Sequence, residues 1–448
     1  TRRSSDLPGG RSPLLFIGLL VVLAACFLIY VLFSGGGDTG DVVSLPPASE
    51  FSPATSSVFD APTTTPVAVP QRPTNTPQPF VPPSTSSGDD TWLVMLYQDA
   101  DDKILEQDIY VDLNEAERTG STDRVQIVAQ VDRFRGGFQG DGNWTDTRRF
   151  YITQDGDLQR VGSQQAGGLG EANMADSQTL VDFVTWAVET FPADKHVLIL
   201  SDHGMGWPGG WSDPDPGGRG DPSIPLSSAL GNNLYLMELD QALEESCAEA
   251  GIDQFEMVGL DACLMGHLEV LSALAPHARY AVVSQETEPA LGWAYTGFLD
   301  ALVANPDMDG AQLGRLIVDS YIQEDQRIVD EQARADLLRQ GSTMGGLFGL
   351  FGSPSAEQIA QQMEQAVTLS AIDLAALPNL LDSVNDLTFA LQDEDQATVA
   401  RARTYAQSFP SVFGQQVPPS YIDLGNFVQL LQRETTRGDL TQSADQVL

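Results

Sequence analysis

Positive charge is scarce in this chain. Of its 448 residues, 23 are Lys or Arg against 62 Asp or Glu, a formal net charge of -39, and Lys103 and Lys195 are its only lysines. The summed field repels polyanions, which argues against a nucleic-acid partner. Cysteine is scarcer still. Cys26, Cys247 and Cys263 give no even framework, so disulfides do not organise the fold. The four histidines and three cysteines do not cluster at ligand spacing, so no metal site is assigned and zinc is poorly supported. No internal repeat is visible.

One long hydrophobic run is present. Leu14 to Phe33 is apolar throughout, long enough at about 1.5 Å per residue to cross a hydrocarbon core of about 30 Å. Arg2, Arg3 and Arg11 precede it and Asp38 and Asp41 follow, so the positive-inside bias puts residues 1–13 in the cytoplasm. The expectation is a single-pass, prokaryotic cell-membrane protein with one anchor at 14–33 and its bulk extracytoplasmic. A lipoprotein processing site ending at Cys26 is the competing reading, but Phe27 to Phe33 continues apolar where a mature lipoprotein turns polar. Residues 34–90, rich in Pro, Thr and Ser, read as a disordered stalk because they cannot bury enough apolar surface to offset ordering.

From Thr91 the pattern changes. Strands are expected at Trp92–Tyr97, Val125–Val131, Arg148–Thr153 (an edge), His196–Leu200, Phe255–Leu260 and Tyr280–Ser284. Amphipathic helices at Ile109–Glu117, Ser177–Glu189, Leu236–Ala250, Leu264–Ala275 and Tyr295–Val303 separate most of them. That alternation predicts an α/β domain over 91–340 with a mostly parallel sheet covered on both faces. Gln312–Leu338 reads as largely helical, and 341–448 as a helical C-terminal extension packing on the domain.

Two strand ends carry the chemistry. "LILSDHG" ends in His203 and Gly204, and "VGLDAC" ends in Cys263. Loops at the C-terminal ends of parallel strands share one crevice. A thiol with an imidazole in reach forms a nucleophile and base. Gly204 N–H and Cys263 N–H are the candidate oxyanion donors, and a helix starting at Leu264 would favour the thiolate through its dipole. Either residue alone has a bland alternative, Cys263 as a small buried hydrophobe and His203 as a loop histidine bonded to an acid. Asp202 is a candidate to orient His203, with a merely solvated acid the alternative. His267 is a second-choice base, while Cys247, His196 and His277 read as structural.

The segments "WLVMLY", "LSDHGMGW", "DACLMGHLEV" and "VVSQETEPALGWAY" closely resemble the clostripain family of cysteine peptidases. The resemblance implies a caspase-like three-layer α/β sandwich, His203 and Cys263 as a catalytic dyad without a required third member, and cleavage after Arg, with Lys second, through a thioester. It also implies that Asp261, two residues before the cysteine, receives the basic P1 side chain of a protein or peptide substrate, with Ser284, Gln285 and Glu286 along the pocket wall. A buried carboxylate can pair bidentately with a guanidinium, while the plainer alternative for Asp261 is a strand-ending acid that caps the next helix. Relatives are often cleaved between histidine and cysteine, where Arg219 is the only basic residue. Some respond to calcium, for which Asp213, Asp215 and Asp221 offer oxygen ligands without EF-hand spacing. No cofactor is required by the dyad chemistry. The competing functional reading is an inactive binding or adhesion domain on a stalk.

Overall fold

The computed structural model describes residues 90–215, 222–340, 355–364, 367–410 and 420–448. Apart from 338–340 these belong to one compact unit, Phe80–Leu337 with Pro354–Leu448. The frame of that unit is built from β1 (Trp92–Ala100), β2 (Val125–Arg133), β3 (Thr147–Tyr151), β4 (Gln164–Gly170), β5 (Lys195–Ser201), β8 (Phe255–Asp261), β9 (Ala278–Val283) and β10 (Ser370–Asp373). A two-stranded ladder, β6 (Gly209–Gly210) with β7 (Leu234–Tyr235), stands apart. The main sheet runs in the order β10-β9-β8-β5-β1-β2-β3-β4. Its five central strands, β9, β8, β5, β1 and β2, are mutually parallel. The flanking β10, β3 and β4 pair antiparallel.

Strands covered on both faces read as continuous apolar runs, and β1, β2 and β8 are buried at every position. Alternation along each strand sorts the core. Leu93, Met95, Tyr97, Val128, Leu198, Leu200, Val258 and Leu260 face one cluster formed with helices Ser177–Thr190, Leu236–Ala250 and Leu268–Leu274. The alternate positions face helices Glu106–Thr119, Tyr295–Ala304 and Gly310–Ser320; Met257 and Val282, for instance, lie against Gly314.

Several expectations are corrected. Over the described residues the fold is a mixed α/β sandwich. Among the described residues no helix is long and apolar enough to cross a membrane, and the 15-residue helices Leu236–Ala250 and Leu377–Leu391 fall short of the ~20 residues a span needs. The anchor expected at 14–33 and the stalk lie outside the described residues, Asp90 excepted, and the described residues give no support to the expected membrane partnership or single-pass topology. The strand at 147–151 is not an edge, because β4 covers it. The helix expected from Leu264 begins at Leu268. The segment Gln312–Leu338 is largely helical as expected, in three pieces, Gly310–Ser320, Gln326–Val329 and Glu331–Gln340, with Asp325 and Arg327 buried at the start of the second.

Candidate active site

β5 and β8 are neighbours in register, Ser201 opposite Asp261. The turns after them, Asp202-His203-Gly204 and Ala262-Cys263-Leu264, therefore leave the same edge of the sheet side by side. They touch through backbone. A Cβ on Gly204 would lie 2.2 Å from the Cys263 carbonyl oxygen and 3.0 Å from both the Cys263 nitrogen and the Ala262 Cβ, so only glycine permits this approach.

His203 keeps 43% of its side chain exposed, with Nε2 3.5 Å from Oδ1 of Asp102. Asp102 lies in the turn after β1, where Oδ1 also accepts the amides of Ile104 and Leu105 at 2.7 Å. Burial pulls the imidazole pKa down, but the Asp102 hydrogen bond and the charges of Asp202 and Asp102 outweigh it and raise it to about 9. Burial pushes Asp102 up, and the hydrogen bond and charge of His203 with those amides leave it lowered. Asp202 is buried, and its Oδ2 accepts the Ser212 amide at 2.8 Å. The carboxylate on the imidazole edge is thus Asp102, which sequence reasoning missed. Its signal was the acidic end of the first strand, which the sheet order places beside β5.

Cys263 is partly buried, and its Sγ accepts the Glu288 amide at 3.2 Å. Leu264 comes next at φ 65°, and its amide donates to the Glu286 carbonyl at 3.1 Å. This left-handed conformation costs roughly 1–2 kcal/mol for an L-residue. Leu264 is buried against Phe409 and Tyr421, with Cys263 packed on the same cluster. Full burial of a leucine stabilises by about 1.5–3 kcal/mol, enough to hold the elbow. Because the helix begins five positions after Cys263, with His267 at its N-cap, the macrodipole falls off before the sulfur and does not support the thiolate. His267 is also not one helical turn from Cys263. It packs edge-on against Tyr421, and burial lowers its pKa.

Beneath the thiol the site is acidic. Asp261 is 6% exposed and accepts the Tyr295 hydroxyl at 2.9 Å and the Trp293 amide at 3.4 Å. Burial pushes its pKa to about 6 against hydrogen bonds from Glu288, Tyr295 and Trp293 and the charge of Arg327. Glu288, also missed from sequence, has its carboxyl held well above the usual range by burial and by the charge and hydrogen bond of Asp261. Its Oε2 accepts the Trp293 indole N–H at 3.2 Å. The Ser284 hydroxyl is instead engaged by the Thr368 carbonyl at 2.6 Å, and the amides of Gln285 and Glu286 donate to the Thr368 hydroxyl at 3.0 and 2.9 Å. These three residues lie beside the cysteine turn through backbone contacts to Leu264 and Gly266.

Two of the three suggested calcium ligands, Asp213 and Asp215, lie within the described residues. Asp213 accepts the Met174 amide, Asp215 pairs with Arg135 at 2.8 Å, and Asp221 and Arg219 lie outside the described residues. Among the described residues no group of three or more His, Cys, Asp or Glu is arranged to hold a metal ion.

The Clostripain family model, peptidase C11, matches residues 96–339, more than half of the sequence. The chain belongs to the clostripain family. That family is one of cysteine-type endopeptidases. Clostripain of Hathewaya histolytica is 28% identical over 208 residues, 41% of this chain and 36% of the relative's own length. A secreted C11 cysteine protease of Bacteroides thetaiotaomicron, solved with an irreversible peptide inhibitor, aligns with a TM-score of 0.52 at 18% identity, covering 80% of this chain and 82% of that one. An inactive zymogen C11 protease of Parabacteroides distasonis gives a TM-score of 0.51 at 15% identity, over 81% and 82%. At these identities the structural likeness shows the fold, which this clostripain-family chain shares.

Proposed function

We propose that this protein is a cysteine endopeptidase that cleaves after Arg, with Lys second, using Cys263 and His203. The observation that carries the reading is the backbone contact of Gly204 with Cys263, which brings a half-exposed imidazole turn and a thiol turn to one edge. With its pKa raised to about 9, His203 holds a proton at neutral pH, poised as the partner of a thiolate. The Cys263 sulfur adds to the scissile carbonyl, and the oxyanion forms toward the N–H groups of Gly204 and Cys263. The C–N bond then breaks as His203 passes its proton to the leaving amine, leaving a thioester. His203, now neutral, takes a proton from water, the hydroxide adds to the thioester, and the sulfur leaves.

For the P1 side chain, the buried pair of Asp261 and Glu288 supports a guanidinium partner. A cation entering there would take up two carboxyls that otherwise repel each other. Self-cleavage at Arg219 belongs to this reading and is checked by terminal sequencing of the active protein. The main test is turnover of an arginyl amide reporter with a pH profile. Cys263→Ala should abolish turnover; unchanged turnover would sink the mechanism. The alkaline limb should lie near pH 9 and move toward the ordinary histidine value of about 6.5 in Asp102→Asn. An unmoved limb would remove Asp102 from its role.

A further inference from the structure

We infer that Tyr421 is a positioning residue that holds the histidine turn and the cysteine turn in register, from a part of the chain beyond the family match. The inference rests on the roles proposed for His203 and Cys263. Tyr421 is 3% exposed, and one side chain reaches both turns. Its hydroxyl donates to the Met205 carbonyl, two residues after His203, at 2.5 Å. Its ring meets the His267 imidazole edge-on, centroids 4.3 Å apart, four residues after Cys263. With Phe409 it also closes over Leu264, the left-handed residue next to the sulfur.

The histidine turn is stiff enough to transmit this hold. The Trp211 amide donates to the His203 carbonyl at 3.0 Å and the Met205 amide to the Gly209 carbonyl at 2.8 Å, so fixing Met205 fixes His203. Gly206, at φ 76°, rests on His267; a Cβ there would lie 2.7 Å from the imidazole Cε1. Met205–Gly206, Tyr421, His267 and Leu264 thus form a closed ring of contacts joining the two turns.

Tyr421 is itself anchored. Ser408 and Ile422 form an antiparallel bridge, and the Phe409 amide donates to the Tyr421 carbonyl at 3.0 Å. Two residues on, the Asp423 carboxylate caps helix Leu424–Glu434 by accepting the Asn426 amide at 2.6 Å. The hold therefore comes from a capped helix start. Its effect belongs on the chemical step, because a displacement of about 1 Å between reacting groups costs roughly 10²-fold in rate.

The experiment uses the full chain, an arginyl amide reporter, and titration of competent sites with an irreversible arginyl electrophile, so that misfolded protein is not counted. In Tyr421→Ala, kcat per titrated site should fall about 10-fold or more while KM stays within about 2-fold. Tyr421→Phe keeps the ring and loses one hydrogen bond, so it should fall about 3-fold. A kcat per site equal to wild type overturns the inference. So does a rise, which would make the residue a blocking contact. If Tyr421→Ala does not fold, Tyr421→Phe decides by the same criterion. Full turnover in Cys263→Ala would bring down the underlying reading instead, whereas an inactive Cys263→Ala with unchanged Tyr421 variants would bring down this inference alone.

Discussion

Two groups of buried acids flank the central sheet, and they are compensated differently. On the face of helix Glu106–Thr119, Asp108, Asp112 and Asp325 surround Arg327, at 3.4, 2.6 and 2.8 Å, and Asp261 feels the same guanidinium. On the opposite face Asp99, Asp132, Asp202 and Asp213 sit at the ends of β1, β2 and β5 and in the loop beyond. Asp99 and Asp132 are adjacent in register and fully buried. Both Asp99 oxygens and one each of Asp132, Asp202 and Asp213 lack a hydrogen-bond partner. Burial raises acids on both faces. Around Arg327 a positive charge opposes it for Asp108, Asp112 and Glu115, whereas the charges acting on Asp99 are all those of other acids. An arginine in the pocket offsets part of the rise that burial imposes on its acids, and where only acids share a pocket nothing offsets it.

The largest expected effect comes from breaking the compensated side. Arg327→Met strands Asp112 and Asp325 in the interior, and removing one partner of such a group costs about 3–5 kcal/mol. Urea unfolding should register it; a loss below about 1 kcal/mol would mean the arginine is not the compensating charge. It should also weaken binding of basic substrates, since Asp261 loses a cation that favours its ionised form.

An intermediate effect is expected from pH on the uncompensated side. Burial is the largest cause that raises Asp132 to about 8 and Asp213 to about 9. An acid raised in the native state binds its proton more tightly folded than unfolded. Its contribution is intact below the unfolded pKa near 4 and is lost as pH climbs to the native value. Stability should therefore decline between about pH 4 and pH 9, and Asp132→Asn should flatten the decline in urea midpoints taken across that range. A parallel slope in the variant would show that Asp132 does not titrate as its surroundings dictate. The smallest effect is expected at the surface. Asp215→Asn breaks the exposed pair with Arg135 and should leave the urea midpoint unmoved. A measurable drop would extend the acid group to its rim.

How legible each part was in the sequence depends on the same physics. Buried strands announce themselves, and both strand ends and their residues His203 and Cys263 were readable because apolar runs stop abruptly there. β4, with the sequence Gln-Gln-Ala-Gly-Gly-Leu-Gly, is mostly exposed and glycine-rich, and carries no strand signal. The late start of the helix after Cys263 was hidden because nothing local marks Leu264 as left-handed. Its conformation is held by Phe409 and Tyr421, more than 140 residues away in the chain. Asp102 and Glu288 were missed for a related reason. Each joins the site through strand order or a returning loop, and spacing in the chain is silent about both.

The contact of Gly204 with Cys263 has a consequence for when the proposed activity can arise. The histidine and the cysteine are 60 residues apart and meet only where β5 has zipped to β8. Such a long-range pairing is late to close, because the loop must be ordered before the contact rewards it. In the proposed mechanism a chain emerging from synthesis carries His203 alone, and until β8 docks the proposed dyad and the acids beneath it are not assembled. The site is thus latent by topology, before any inhibitory segment or cleavage event is needed to keep it so.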